Sequence, residues 1–423
     1  MSSKNISKNL AGVKPGTLHA GIDLGLEENV AVVIDEQARQ LARIRFKNDR
    51  EGYDQFKNRI EDLCQSKPAP QVIVAMEPTN MLWKLLANYL EEEGISYQLV
   101  NAYTVKKHRE GDQIDRSKDD RRDAFTIADL SRTGKFTQTQ LQHGTYAELR
   151  EYIALYYRLR RQVCREKQYI WNSVGQLFPE LGRVFKDYSG QTVRAMLKTC
   201  AAASQIRLLS EAEFIQQVRT GFDGYRLYTS RLRQVFQLAK TSVGLTQGTQ
   251  GLQLALTLHT DTLTMLQLQQ QQLLAAIETC FLSLLEASFL LSVKSIGLLS
   301  GATFLAEIGD PKRFRNASQL VKLAGIQPTP NRSGKKQRSA TPMSHQGRPR
   351  LRAMLYLICL RLIQDDQRFS ALFQQLQHRK ANPLTKMQAL GVLMNKLLHI
   401  LWALMKQQTN YDPLYQPSAA LIS

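Results

Sequence analysis

The chain has 423 residues, with 56 Lys and Arg against 37 Asp and Glu, so its formal net charge is +19. That length fits two or three domains with ample material to bury cores. The charge favours a polyanionic partner over an ordinary basic soluble protein, because binding to phosphate backbones releases counterions. Cys64, Cys164, Cys200, Cys280 and Cys359 stand far apart with no C-x-x-C pair, which excludes a disulfide framework or zinc site and suits a reducing compartment.

Met1 to Gly16 is polar and basic without an apolar run, so no signal peptide is expected there. Residues 17–136 then alternate strand and helix patterns. Leu18–Asp23 and Val30–Ile34 read as strands around the polar turn Glu27-Glu28-Asn29, and Ala42–Phe46 as a half-exposed third. A helix follows, with Tyr53, Phe56, Ile60 and Leu63 on one face. Then come a strand at 72–76, a helix over 81–93, a strand at Tyr97–Val100 and a helix from about Asp119 through Leu130. The order βββαβαβα is that of a ribonuclease-H-like fold, an analogy that does not itself license a function.

Leu149, Tyr152, Tyr156, Leu159 and Val163 follow helical spacing in a segment crowded with arginine, including Arg158 and Arg161. A second helical stretch runs over roughly 252–290, through the Gln269–Gln272 block. With a variable region around Pro179–Gly251 between them, the two predict an antiparallel coiled-coil-like hairpin. The apolar stretches 281–293 and 389–405 are interrupted by Glu286, Lys396 and His399, so neither reads as a membrane span. From Ser292 a turn leads into a small-residue helix, Leu298 to Ile308, where close packing or approach to phosphate would explain Gly297, Ser300, Gly301 and Ala302. Pro311 to Gln364 contains no Asp or Glu, yet carries Arg332, Lys335, Lys336, Arg338, Arg348, Arg350 and Arg352 among other cations. This is the strongest electrostatic footprint in the chain. Helices resume at about 349–376 and 382–407.

Four acids carry the chemistry. Asp23 and Glu77 end apolar strands, while Asp120 and Asp123 fall at i and i+3 on one helix face. Carboxylates converging at buried strand tips repel one another unless cations neutralise them, and divalent cations in that place cut or rejoin phosphodiesters. Acidic pairs on solvated helices are common, so Asp120 and Asp123 gain meaning only beside Asp23 and Glu77. Asp119 is a rival to Asp120 on a face about 100° away, and Asp112 and Asp115 are assigned to a solvated loop. Gly21-Ile22-Asp23-Leu24-Gly25 also resembles the first phosphate loop of actin-like ATPases and sugar kinases, but no second glycine-rich loop follows clearly. Ser333 precedes Gly334 in a Pro/Asn-rich loop with Arg332, Lys335, Lys336 and Arg338 around it. Such cations would bind a scissile phosphate, although a serine there is usually turn chemistry. Ser344, beside His345, competes with it.

These pieces together resemble one family. Gly21-Ile22-Asp23, Met76-Glu77-Pro78-Thr79, Val100-Asn101-Ala102 and Lys118 through Ala124 match it, as do Ile296-Gly297, Ala306 through Asp310, Arg313-Phe314, Leu323-Ala324-Gly325, Ser333-Gly334-Lys335, Gly347-Arg348 and Leu351-Arg352. In that order and spacing they are similar to the insertion-sequence transposases of the one-ten and eleven-eleven group, described as bridge-RNA-guided recombinases. The resemblance implies a RuvC-like α/β domain over 17–140 after a flexible 1–16, a coiled-coil linker with a helical insertion over 141–290, a mainly α-helical serine transposase domain over 291–410 and a tail at 411–423. It implies Mg²⁺ or Mn²⁺ on a DEDD set of Asp23, Glu77, Asp120 and Asp123, and a nucleophilic Ser333. Donor and target DNA, a non-coding bridge RNA and further copies of the chain, as a dimer to tetramer, would be the partners. The nucleic-acid backbone would lie on Arg158, Arg161 and the basic 311–352 stretch. A cytoplasmic, nucleoid-associated setting in a bacterium or archaeon follows, with no membrane. Two departures stand out: Asp119 replaces a small hydroxyl residue, and Lys294-Ser295-Ile296-Gly297 replaces Pro-Gly-Ile-Gly. The competing reading is a RuvC-type endonuclease that uses metal-activated water, with Ser333 structural. A non-catalytic binder is disfavoured, because acids repel phosphate.

Overall fold

Valine- and isoleucine-rich runs bounded by polar turns build the first sheet: β1 (Leu18–Asp23), β2 (Glu28–Ile34), β3 (Gln40–Lys47), β4 (Val72–Met76) and β5 (Tyr97–Leu99). Their order is β3-β2-β1-β4-β5. β2 runs antiparallel to β1 and β3, while β4 is parallel to β1 and β5. In this computed structural model, residues 3–66, 69–78, 81–112, 120–137, 141–329, 332–333, 336–337 and 342–414 are described, the side chains of 3–5, 8, 109–112, 120, 332–333 and 336–337 excepted. The chain divides into two units, Met1–Leu141 and Gln142–Ser423.

Five helices accompany the sheet: α1 (Ser3–Leu10), α2 (Arg50–Ser66), α3 (Leu82–Glu92), α4 (Ala102–Asp112) and α5 (Asp120–Arg132). Side chains alternate across a strand, so each face acquires its own core. Leu18, Ala20 and Ile22 pack with Phe56, Ile60, Leu86 and Leu90 from α2 and α3. On the other face, Val30 and Val32 meet Ala124 and Ala128 of α5, and Ala75 meets Val105, Ile127 and Leu130. Two elements differ from the sequence expectation. Asp112, read as part of a solvated loop, ends α4, whose Val105 is the apolar residue that anchors it. The segment expected to be a flexible N-terminus carries α1, and Asn9 Nδ2 donates to the Gly134 and Phe136 carbonyls at 2.8 and 3.0 Å.

Among its described residues the second unit is helical apart from one two-stranded ladder and the isolated bridge between Pro328 and Met343. α6 (Gly144–Leu177) precedes a 3₁₀ turn at Pro179–Arg183 and four shorter helices, α7 (Gln191–Thr199), α8 (Ala203–Ile206), α9 (Glu211–Thr220) and α10 (Thr229–Lys240). α11 (Gln250–Leu282) returns along α6. Tyr146 bonds Glu286, Glu166 bonds His259 and the Gln176 carbonyl accepts from the Leu245 amide, so the two long helices are antiparallel. Leu149, Tyr156, Val163, Ile170 and Leu177, spaced by sevens, are all buried, the spacing of a two-helix seam. The contact of His259 Nδ1 with Glu166 Oε2 at 2.7 Å places a part-buried polar pair between the two helices, a contact that favours this register.

The expected long helix through 290 instead breaks after Leu282, and α12 (Glu286–Leu291) restarts it. α13 (Leu298–Ile308) follows, and a Cβ on its Gly301 would strike the Phe281 ring, so close packing explains that small residue. After α14 (Ala317–Ala324), β6 (Arg332–Ser333) pairs antiparallel with β7 (Lys336–Gln337). The expected helix over 349–376 is two, α15 (Pro349–Asp365) and α16 (Gln367–His378), because the Asp366 carboxylate accepts from the Arg368 and Phe369 amides and caps a new start. α17 (Lys386–Gln407) is long and apolar enough to cross a membrane, but Leu393, Leu397, Leu398 and Leu401 are buried against the core that α6, α11 and the C-terminal helices share.

Candidate active site

Register places the acids. Ile22 pairs with Met76 in the parallel ladder, so the next residues, Asp23 and Glu77, stand side by side at the same end of neighbouring strands. Such strands lie about 4.8 Å apart. Gly21, two residues before Asp23, faces α5 so closely that a Cβ would collide with the Ala124 carbonyl and the Ala128 amide. By alternation Asp23 shares that face. Ala75 clusters with Ile127 and Leu130 of α5, and Glu77 follows it by two. Asp123, 8% exposed, precedes Ala124 in the first turn of α5. Asp23, Glu77 and Asp123 therefore belong to one end and one face of the sheet. Asp120 is the first residue of α5; its side chain, and the whole of Asp119 and Asp115, lie outside the described residues.

All four donors are carboxylates, the hard oxygen ligands that suit Mg²⁺ or Mn²⁺. Among the described residues, however, no group of three His, Cys, Asp or Glu side chains that could hold a metal ion is formed, so Asp23, Glu77 and Asp123 share an end and a face of the sheet without making such a group by themselves.

Two polar networks brace the sheet, one at the end that bears the acids and one near the start of β1. Asn29 is fully buried in β2, not in the turn assigned to it, and donates to Asn48 Oδ1 at 2.7 Å, while its own oxygen accepts from the Gly25 amide at 3.3 Å. Asn48 in turn donates to the Gly25 and Leu26 carbonyls, at 2.5 and 3.0 Å. The loop leaving Asp23 is thereby tied to β2 and to the end of β3. Deeper on the same face, His19 Nδ1 lies 2.9 Å from Ser131 Oγ, which donates to Gln98 Oε1 at 2.8 Å. Burial, then the charge of Arg132, lowers the His19 pKa to about 4 against the opposing fields of Asp129 and Glu36, so the ring is neutral at physiological pH. The only sequence signal for either network is a polar residue within an apolar run.

In the second unit Ser333 ends β6 and pairs with Lys336 across a two-residue connection. Gly334, Lys335 and Arg338 lie outside the described residues, as do the side chains of Arg332, Ser333 and Lys336. Closer to the body, Pro328 bridges Met343, the Thr329 amide donates to the Pro342 carbonyl and the Ser344 amide to the Gln327 carbonyl. The basic loop is thus an arm with a ladder at its root and another near Ser333. Ser344 belongs to the root. Gly325 and Gly347 back onto each other there: a Cβ on either would meet the other's amide nitrogen, and the left-handed φ of +69° at Gly325 also calls for glycine.

The expected nucleic-acid cations fall into two kinds. Arg348 reaches the Glu307 carbonyl, Arg350 Nη1 meets Glu307 Oε1 at 3.0 Å beneath the Tyr157 ring, and Arg352 Nη1 donates to the Ala324 carbonyl at 3.0 Å. These three join α13, α14, α15 and α6 rather than standing free on the surface. Burial, then the charge of Arg150, pulls Arg348 down to about 10 against Glu307, which leaves it cationic at neutral pH. Arg158 and Arg161, by contrast, are exposed on α6. Glu307 is the residue the sequence reading overlooked as a partner, although its motif carried the resemblance.

Residues 20–179 match the family model of the IS110 DEDD transposases, described as "Transposase", and residues 287–374 match the "Transposase IS116/IS110/IS902 family". The chain carries the two domains of an IS110-family transposase. A mini-circle protein for IS117 from Streptomyces coelicolor, named a transposase, is 25% identical over 333 residues, 76% of this chain and 78% of its own. The 43.6 kDa protein of insertion element IS110 from the same organism is 24% identical over 308 residues, 70% and 72% of the two chains. A pilin gene-inverting protein of Moraxella bovis is 28% identical over 126 residues, 30% of this chain and 38% of its own. The IS110-family chain is accordingly a DNA transposase or recombinase, and DNA is its substrate.

Proposed function

We propose that this IS110-family transposase excises and inserts its element by a serine–DNA covalent intermediate, guided by an RNA. In this reading the first unit is a RuvC-like, ribonuclease-H-type domain, the α6–α11 hairpin a coiled-coil linker between oligomer partners, and α13–α17 the serine transposase domain. The observation that carries the reading is the shared end and face of Asp23, Glu77 and Asp123 in a β3-β2-β1-β4-β5 sheet, with Asp120 one helical turn before Asp123.

A divalent cation on Asp23, Glu77, Asp120 and Asp123 would supply Lewis-acid polarisation of a phosphate oxygen. Ser333 Oγ adds to a DNA phosphorus as one P–O ester bond breaks, and the departing DNA hydroxyl takes up the proton. A hydroxyl of the exchanged strand then attacks the phosphoserine, rejoins the DNA and returns the serine. Arg332, Lys335, Lys336 and Arg338 surround Ser333 in sequence and lower the cost of the added charge on phosphorus. The absence of a side chain at Gly334 lets phosphate approach the backbone. Base pairing by the bridge RNA, rather than side-chain readout, would choose the sites.

The test is a denaturation-resistant protein–DNA adduct. Wild type should form it, Ser333→Ala should lose both adduct and cleavage while still binding nucleic acid, and Ser344→Ala should keep the adduct. A nucleotide mapped to Ser344, or cleavage persisting in Ser333→Ala, favours the metal-activated-water endonuclease instead.

A further inference from the structure

Residues 180–286 fall between the two matched family segments, and α7–α10 form a helical head at the far end of the hairpin. There, a cleft of about 510 Å³ opens between α6 and the segment leading into α7. Trp171 lines it and is 59% exposed, an unusual position for the largest apolar side chain. Tyr188 forms another wall, and Lys167 and Lys186 stand at the sides. Asp187 is the acid of the cleft, and it is already engaged by Lys167 at 3.0 Å and by the Ser189 amide at 2.9 Å. Arg160 lies on nearly the same row of α6 as Trp171, eleven residues and about three turns back, and is exposed.

A second set of groups adjoins the cleft through residues 185–192. The Arg231 guanidinium sits 5.7 Å from the Phe185 ring and 5.4 Å from Tyr228, and Arg226 is 5.4 Å from that same Tyr228 ring. The Tyr228 amide donates to Thr192 Oγ1 at 3.3 Å, which fixes this ladder beside the start of α7. Tyr225, next to Arg226, is fully exposed. Phe185 and Tyr188 are buried, whereas Trp171, Tyr225 and Tyr228 are exposed. Exposed aromatic rings beside cations suit neither a buried core nor a duplex backbone, which offers no free base face. They suit unpaired bases, which stack on aromatic rings while their phosphates meet Lys and Arg.

We propose that the head binds single-stranded nucleic acid, with one base stacked on Trp171 in the cleft, its phosphate on Lys186, and the strand continuing over the Tyr228–Arg226–Tyr225 edge. This site is separate from the arm that carries Ser333 and does not depend on which residues cut DNA.

The experiment is photocrosslinking of the full chain to 12-residue single strands carrying 4-thiouridine (RNA) or 4-thiothymidine (DNA), with unlabelled duplex DNA in excess to fill duplex-binding surfaces, followed by peptide mapping. Adducts should fall on peptides holding Trp171, Tyr188 or Tyr225–Tyr228. They should drop about tenfold in Trp171→Ala, in line with roughly 1–3 kcal/mol for one stacked base, and several-fold in Lys186→Glu, with Trp171→Phe restoring most of the signal. Adducts on the RNA probe alone make RNA the occupant; adducts on both probes make it any unpaired strand. Adducts confined to the arm or to the first half of α6, or undiminished in Trp171→Ala, overturn the proposal. Either result leaves the serine adduct test untouched.

Discussion

The acids of the first unit and the serine of the second are held in opposite ways. Asp23 and Glu77 extend strands at the centre of a five-stranded sheet, with α5 pressed onto Gly21 and asparagine networks tying down the loop beyond. Ser333 ends a two-residue strand in a loop whose flanking segments meet at two closely packed glycines. A charged site that must hold several like charges gains from a frame that cannot relax, since repulsion would otherwise push the carboxylates apart. On the proposed mechanism, a serine joined to a DNA end would gain from a narrow attachment instead.

The largest effect that would break this comparison is loss of one acid. Asp23→Asn, Glu77→Gln, Asp120→Asn and Asp123→Asn should each reduce strand transfer by orders of magnitude at nearly constant shape, with unchanged thermal unfolding. A variant retaining wild-type transfer in a plasmid excision assay would remove that residue from the site.

Acid should weaken the rigid frame through His19. Its pKa in the folded protein, about 4, lies below the ordinary value of 6.5, so the unfolded chain takes up the proton first as pH falls. Stability is therefore full above about pH 6.5 and declines towards pH 4, by roughly 3 kcal/mol in all. Chemical denaturation at pH 7 and pH 4.5, with His19→Gln as the control that flattens the difference, measures it.

Smaller again is the contact that seats α5. Gly21→Ala should cost about 2 kcal/mol, because the colliding atoms are helix backbone that must shift as a body. Transfer should fall more than stability, since Asp123 moves with the helix. At the root of the arm, Glu307→Gln should cost about 2 kcal/mol by leaving Arg348 and Arg350 without their carboxylate, a value reduced by their partial exposure. Transfer loss without loss of stability there would assign these arginines to DNA.

The smallest effect separates the two kinds of cation. Arg158→Ala with Arg161→Ala should flatten the slope of log K against log salt by roughly two units, whereas Arg352→Ala should barely change it.

The strands of the first unit were legible because apolar runs of strand length end in polar turns, and β4 falls at 72–76 as read. Asn29 was not legible, since a buried asparagine paired with Asn48 looks in sequence like the last residue of a turn. α4 was hidden for a related reason: Val105 is its one buried apolar residue, too little for a periodic signal. Asp23, Glu77, Asp120 and Asp123 stood out because each falls at a strand tip or helix start, where an acid needs a reason. For Arg348, Arg350 and Arg352 charge was legible but partners were not, since charge does not reveal that Glu307 on α13 and the Ala324 carbonyl on α14 hold them. Ser333 was singled out by its cationic neighbours, but the pairing between Gln327–Thr329 and Pro342–Ser344 that closes its loop was not, because those segments carry no strand-like pattern.

The seam pair of Glu166 and His259 gives the hairpin a further property. Thirty-three residues of α11 at about 1.5 Å each make a strut of about 50 Å. Because sliding by a heptad would break that polar pair and the buried seven-residue row beside it, the strut favours one register. It works as a ruler. Leu263 of α11 lines the cleft of the head. From it to Leu282, where the helices that bear the arm begin, α11 is about 29 Å long, close to one turn of duplex DNA at about 34 Å per turn. A strand engaged at the head would therefore meet the arm at a fixed spacing, and one heptad removed from both helices should shift the position of cleavage by about 10 Å, roughly three base pairs, rather than abolish it.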